Sequence, residues 1–80
     1  MDKLRSMAVF ACIVEHGSLS RAAQALGMSP PAVVRSLAAL EQSVGARLLH
    51  RTTRRQSLSD EGREYYASCK RVLAEVEAAD

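Results

Sequence analysis

The apolar residues at the start of the chain recur at steps of three and four, the period of a helix buried on one face. The first stripe consists of Leu4, Met7, Ala8, Ala11 and Val14, with Phe10 beside it. We expect Asp2 to cap this helix, because a short acidic side chain accepts the first free backbone amides. His16-Gly17 is predicted to end it. This first helix would support the others.

Two further helices are predicted, each introduced by a serine and closed by a glycine. The second helix is predicted over 19–26, with Ser18 as its cap and Gly27 at its end. The third is predicted over 30–44, with Ser29 as its cap and Gly45 at its end. Pro30 fits the first helical position, where a missing N–H costs no hydrogen bond. The buried stripe of the third helix is predicted as Val33, Leu37, Leu40 and Val44, which leaves Val34, Arg35 and Ala38 facing outward.

The last third of the chain predicts a hairpin and a long helix. Residues 48–58 carry β-favouring side chains on both sides of a polar tip, which indicates two short strands. Ser59 and the two acids after it predict a helix that runs to the chain end. Its apolar positions are spaced like a seam that packs on a partner helix: Tyr66, Cys69, Leu73 and Val76. We expect this seam to form a homodimer interface; the alternative is that it covers the domain's own core.

These elements together predict a mainly α fold, a winged helix-turn-helix. It has a three-helix core, a short two-stranded β wing and a long C-terminal linker helix. We assign residues 1–58 to the winged helix-turn-helix and residues 59–80 to the linker and dimerisation helix.

Composition limits the chain to one small globular domain. Its 80 residues are 48% hydrophobic and 25% charged, which is ordinary for a folded domain. Phe10, Tyr65 and Tyr66 are the only aromatic residues. They are too few to build a base-stacking platform, so binding of single strands is disfavoured.

The charge is distributed unevenly along the chain. Residues 16–59 hold six arginines and one acid, Glu41, which gives +5, whereas residues 60–80 hold three cations and six acids, which gives −3. Arginine suits bidentate contact with phosphates and with guanine edges. On charge alone, the alternative is a solvated charged surface.

The cysteines and histidines form no catalytic or metal-binding pattern. Cys12 and Cys69 lack CxxC spacing, and we expect reduced thiols in a cytoplasmic protein. Cys12 and His16 are four residues apart, as metal ligands on a helix are, but no second pair completes a site. Neither a partnered nucleophile nor a phosphate-binding glycine loop occurs. We therefore expect no metal, no cofactor and no enzymatic activity.

The segment 19–37 has the arrangement of a helix-turn-helix. Ala23 is small enough for two helices to cross closely, and Gly27, four positions later, permits the turn between them. An Arg-rich hairpin follows, and no acid lies between Glu41 and Asp60. A helix fits the major groove of B-DNA, while an arginine-tipped hairpin reaches the neighbouring minor groove. The pattern therefore predicts binding to double-stranded DNA.

Over essentially its whole length the chain resembles the N-terminal domain of LysR-type transcriptional regulators. The matching residues are Phe10, GSLSRAA at 17–23, ALGMS at 25–29, PAV at 31–33, Arg35, Leu40-Glu41, Gly45, Leu48-Leu49, RTTRR at 51–55, Leu58 and Glu61-Gly62. The resemblance implies a recognition helix over 30–44, a wing over 51–55 and a dimer on an inverted-repeat operator, with a tetramer left open for a full-length protein. Family members usually continue into a ligand-binding domain, so we expect a DNA-binding fragment of a regulator.

Specific DNA contacts are predicted for the helix-turn-helix and the wing. Arg35 is expected at a guanine edge in the major groove, and Arg54 in the minor groove. The residues expected to fix register on phosphates are Ser18, Ser20, Ser29, Thr52 and Thr53, and Pro31, Arg51 and Arg55 complete the predicted contact set.

The predicted contact surface departs from the family pattern at two positions. Pro30 and Val34 stand where the family usually has Gln and Ser, so they are expected to meet thymine methyl groups instead. The operator sequence therefore does not carry over from relatives. The alternative function is a winged-helix module that binds an acidic protein surface.

Overall fold

The computed structural model describes residues 2–51 and 56–80. Within them lie four helices and two strands: α1 Lys3–His16, α2 Leu19–Leu26, α3 Pro30–Val44, β1 Leu49–Arg51, β2 Gln56–Leu58 and α4 Asp60–Ala79. This order and these limits confirm the predicted winged helix-turn-helix. The wing-tip positions predicted for Thr52, Thr53, Arg54 and Arg55 lie outside the described residues. In the described part, no helix is both long enough and apolar enough to cross a bilayer.

Each helix begins at the side-chain cap that the sequence predicts. The side chains of Asp2, Ser18, Ser29 and Ser59 accept the backbone N–H of Arg5, Arg21, Ala32 and Gly62 at 3.1, 3.0, 3.3 and 2.8 Å. The turn between α2 and α3 is made by Gly27, whose φ of 66° lies in the left-handed region. A residue with a Cβ pays a steric penalty in that conformation. Local sequence therefore determines where these helices begin and where the turn lies.

The core forms around α1, which packs against the other three helices. Phe10 on α1 is fully buried, and its ring centroid lies 6.0 and 6.5 Å from those of Tyr65 and Tyr66 on α4. From α3 the core receives Val33, Leu37 and Leu40, as predicted. Through these contacts only one face of α3 packs on the rest of the domain. Its opposite face is exposed to solvent.

The predicted stripe of α1 is wrong in part. Leu4 is 44% exposed, whereas Val9 and Ile13 are each only 1% exposed and belong to the core. The reason is that α1 is contacted from several sides, by α2, α3 and α4. A helix enclosed in this way does not carry a single apolar face, so its periodicity does not identify its buried residues.

The start of α4 is joined to the base of the hairpin. β1 and β2 are antiparallel, with Leu49 opposite Leu58. The Ser59 backbone N–H donates to the Leu48 carbonyl at 3.0 Å, and the Ser59 hydroxyl donates to the Arg47 carbonyl at 2.5 Å. One turn into α4, Gly62 is buried against the Leu48 backbone. Hairpin and helix therefore share one anchoring point.

The seam predicted for α4 has a buried part and an exposed part in the structure. Cys69 is fully buried in the core of its own chain, so its assignment to a dimer interface is wrong. Tyr66 and Leu73 are partly buried against the same core. Of the four seam residues, only Val76 is exposed, at 42%. Val72, which was not predicted as part of the seam, is also exposed, at 39%. The first half of α4 thus belongs to the domain, while every residue of 74–80 is exposed.

Candidate nucleic-acid interface

The outward face of α3 is the centre of the candidate interface. Residues 31, 35, 38 and 42 are exposed and lie roughly opposite the buried Val33, Leu37 and Leu40, because successive residues of a helix are turned by about 100°. The guanidinium group of Arg35 stands near the middle of this face. Val34 is half-buried at its edge. A surface of this form presents one long basic side chain among uncharged ones, which suits a helix that binds in a groove of DNA.

Two helix beginnings provide hydroxyl groups near this face. Ser18 and Ser29 cap α2 and α3, and each already accepts one backbone N–H. A hydroxyl that accepts a hydrogen bond still has its own proton to donate, which suits a phosphate oxygen. Ser20 and Pro30 are also exposed. Among the side chains that the structure describes, those predicted to contact DNA are therefore accessible, with Ser18 and Val34 only partly so; the side chain of Arg51 lies outside them.

Three arginines of the central segment, Arg21, Arg35 and Arg47, are exposed. The two ion pairs found among the described side chains involve other cations, Arg63 with Asp60 and Lys70 with Glu15. The charge of these three arginines is therefore available to an external anion.

Glu41, the single acid of segment 16–59, is occupied internally. Its Oε2 accepts the backbone N–H of Leu48 at 2.7 Å and that of Leu49 at 3.3 Å. Its backbone carbonyl accepts those of Gly45 and Ala46 at 2.8 and 3.2 Å. One residue thus receives four N–H groups from the chain that connects α3 to β1. Sequence reasoning counted Glu41 only as a charge, because nothing in its local pattern indicates these partners.

Polar contacts also hold α3 against α1. The Lys3 ammonium donates to Ser43 Oγ at 2.8 Å, and the Ser36 hydroxyl donates to Ser6 Oγ at 3.3 Å. The Ser6 side is buried. With the apolar contacts of the core, these bonds restrict rotation of α3 about its axis. The outward face therefore has a defined orientation on the body.

A second polar cluster joins α4 to the end of α1. Glu15 Oε2 accepts from Lys70 Nζ at 2.9 Å and from the Tyr66 hydroxyl at 2.8 Å. These two hydrogen bonds, from Lys70 first and then Tyr66, lower the pKa of Glu15. Burial of its ring and its bond to Glu15 raise the pKa of Tyr66. The cluster fixes the direction of α4 relative to the helix-turn-helix.

The sequence pair Cys12 and His16 does come together in space. Cys12 Sγ lies 3.4 Å from His16 Nδ1, which also lies 2.9 Å from the Cys12 carbonyl oxygen. Burial raises the pKa of the Cys12 thiol, which keeps it in the neutral form. No group of three or more His, Cys, Asp or Glu side chains able to hold a metal ion occurs in the ranges that the structure describes.

A helix-turn-helix whose second helix presents an exposed arginine, followed by a hairpin, defines the winged helix-turn-helix class of DNA-binding domains. Comparison with known proteins narrows the class. The family model described as bacterial regulatory helix-turn-helix protein, lysR family, matches residues 4–63. The chain belongs to this LysR family.

Named relatives and solved structures agree with the family assignment. The transcriptional regulator CrgA of Neisseria meningitidis is 46% identical over 74 residues, which is 92% of this chain and 25% of CrgA. The BenM_DBD/catB site 1 DNA complex superimposes with a TM-score of 0.92 at 30% identity, covering 99% of this chain and 87% of that one. The CbnR_DBD–DNA complex superimposes with a TM-score of 0.92 at 29% identity, covering 99% of this chain and 90% of that one. The chain spans about a quarter of the length of its curated relative.

Proposed function

We propose that this domain binds double-stranded DNA in a sequence-specific manner, as the operator-binding module of a cytoplasmic transcription regulator without enzymatic activity of its own. In this proposal α3 enters the major groove, and the wing contacts the adjacent minor groove. Arg35 meets a base edge, Pro30 and Val34 make apolar contacts, and the capping serines bind phosphates.

The observation that carries the proposal is the charge balance around α3. The outward face holds an exposed arginine, and the only acid of segment 16–59 is satisfied by backbone N–H groups. A phosphate backbone approaching this face therefore meets the Arg35 guanidinium group, while the Glu41 carboxylate is held against the backbone N–H groups of Leu48 and Leu49. The similarity to two solved DNA complexes, of BenM and CbnR domains, supports the same partner.

Salt dependence of binding tests this function. With about five phosphate contacts, log K should fall with log salt at a slope of about −4.5, so a fourfold rise in salt weakens binding roughly 500-fold. Fluorescence anisotropy with a random duplex at several salt concentrations measures the slope. Arg71→Ala on α4 is the control: it removes one cation outside the proposed interface and should leave the slope unchanged. Absence of binding at low salt would favour the alternative, a module that docks on an acidic protein surface.

We also propose that two copies pair through the C-terminal half of α4. Val72 and Val76 stand one turn apart and are 39% and 42% exposed, on a stretch where the helix has left the core. Burying such a stripe against its symmetry mate removes apolar surface from water at little entropic cost, because the helix is already formed. A two-fold dimer would present two recognition helices to an inverted repeat.

Sedimentation velocity at tens of micromolar tests the pairing. The wild-type domain is expected to sediment as a dimer. Val76→Glu should give monomers, because an unpaired charge in an apolar interface costs about 3–5 kcal/mol. Ala74→Glu makes the same charge change on roughly the opposite side of α4 and should leave the dimer intact. A wild-type domain that remains monomeric under these conditions would contradict the proposal.

A further inference from the structure

The position of the wing relative to α3 depends on few contacts. β1 and β2 have only three residues each, and a two-stranded ribbon of this size does not hold its own orientation. Its direction must come from whatever fixes its base. On one side the Leu48 carbonyl accepts the Ser59 N–H and the Arg47 carbonyl accepts the Ser59 hydroxyl, which joins the base to α4. On the other side the Leu48 and Leu49 N–H groups point to Glu41.

Glu41 is the direct polar link between α3 and β1 in the described structure. It begins the last turn of α3, and its carboxylate reaches across the loop to the first residues of the hairpin. Leu48 and Leu49 are themselves buried, at 0% and 4% exposure, so water does not replace the carboxylate easily. A hydrogen bond from N–H to an ionised acceptor is stronger than one between neutral groups.

The negative charge of Glu41 helps to decide what the residue does. An acid on the flank of a DNA-binding helix repels the phosphate backbone, so it weakens binding unless its geometric contribution outweighs its charge. A residue that serves only to end α3 would need no carboxylate, because the backbone carbonyl already accepts Gly45 and Ala46. Among the described residues, the carboxylate accepts only from Leu48 and Leu49, at the base of the hairpin.

We propose that Glu41 is a positioning residue that sets the wing against α3, so that both elements contact one duplex together. It acts through the wing and does not touch DNA. This inference rests on the proposed DNA-binding function. Loss of the carboxylate would leave α3 on the body through its core contacts while the hairpin base loses its link to α3.

Two variants of equal charge separate geometry from electrostatics. Glu41→Gln removes the charge but keeps an oxygen that can accept from Leu48 and Leu49. Glu41→Ala removes both. DNA affinity should be at least as high for Glu41→Gln as for wild type, because one repulsive charge is gone. Glu41→Ala should bind roughly tenfold more weakly than Glu41→Gln, which equals about 1.4 kcal/mol, the size of the hydrogen bonding between neutral groups that Gln retains and Ala loses.

A double-mutant cycle shows whether the effect passes through the wing. The same two variants are measured in an Arg54→Ala/Arg55→Ala background, which removes the guanidinium groups predicted for the wing tip. There the difference between Glu41→Ala and Glu41→Gln should fall to less than twofold, because a misplaced wing no longer costs contacts. A loss of affinity caused merely by partial unfolding would persist in that background.

The outcomes are distinguishable. Equal affinity of Glu41→Ala and Glu41→Gln, or an unchanged difference in the wing-tip background, would overturn the role of Glu41 while leaving the DNA-binding function intact. Failure of the wild-type domain to bind DNA would remove the proposed function first. If Glu41→Ala does not fold, Glu41→Asp replaces it: it keeps the charge but is one methylene too short, and it is compared with wild type in both backgrounds, with the same expected pattern.

Discussion

Gly62→Ala is expected to unfold the domain or to destabilise it by more than about 4 kcal/mol, a loss reserved for severe steric conflict in a core. A Cβ at this position would lie 2.9 Å from the carbonyl carbon of Leu48 and 3.2 Å from its Cα, and still closer to its carbonyl oxygen. These are backbone atoms, which cannot move aside as a flexible side chain would. Thermal and urea unfolding followed by circular dichroism at 222 nm measures the loss.

The sign of this effect distinguishes it from helix propensity. In an ordinary helical position, replacing glycine by alanine stabilises by about 1 kcal/mol. The control is Ala67→Gly at an exposed position of α4, which should cost about that amount and preserve cooperative unfolding. A Gly62→Ala domain as stable as wild type would mean that α4 does not approach the hairpin base as closely as the structure has it.

The limits of the elements could be predicted because their signals are local. Ser18, Ser29 and Ser59 each accept an N–H three residues ahead, and Gly27 supplies the positive φ that the turn needs. None of these contacts depends on distant parts of the chain. The outward face of α3 was predictable for a related reason: that helix is buried on one side only, so its apolar period is clean.

The contacts that assemble the domain were not predictable in the same way. Gly62 looks like a weak point in a helix until the backbone of Leu48 is placed against it. Glu41 looks like a solvated acid until two N–H groups seven and eight residues later are found on its carboxylate. The periodicity of α4 suggested a partner helix at Cys69, which the domain's own core occupies. For Cys69, the periodicity predicted burial correctly, but it did not indicate which residues bury it.

Arg35→Ala is expected to relax the preference for one base pair in each half-site by about 1–3 kcal/mol, or roughly 5- to 160-fold in discrimination. The side chain is exposed on the face of α3 opposite the core. A guanidinium group there can donate two parallel hydrogen bonds to the O6 and N7 of guanine, a pattern that no other base offers in the major groove. Alanine offers none, so all four bases become similar at that position.

A base contact and a phosphate contact have different consequences. Loss of a phosphate contact weakens binding to all sequences; the salt slope falls by about 0.9 when the lost group is a cation and stays the same when it is a hydroxyl. Loss of a base contact changes the ranking of sequences. Ser29 is predicted to belong to the first kind and Arg35 to the second. Arg71→Ala again provides the control, because it removes an equal charge from α4 and should change neither the ranking nor the slope.

Selection of bound duplexes from a random pool tests most directly whether α3 reads the major groove through Arg35. Wild type and Arg35→Ala are treated in parallel, and the enriched pools are sequenced. We expect a symmetric site for the wild-type domain and, for the variant, the same site with preference lost at one base pair in each half. An identical base-preference profile for the two proteins would contradict the claim that α3 reads the major groove through Arg35.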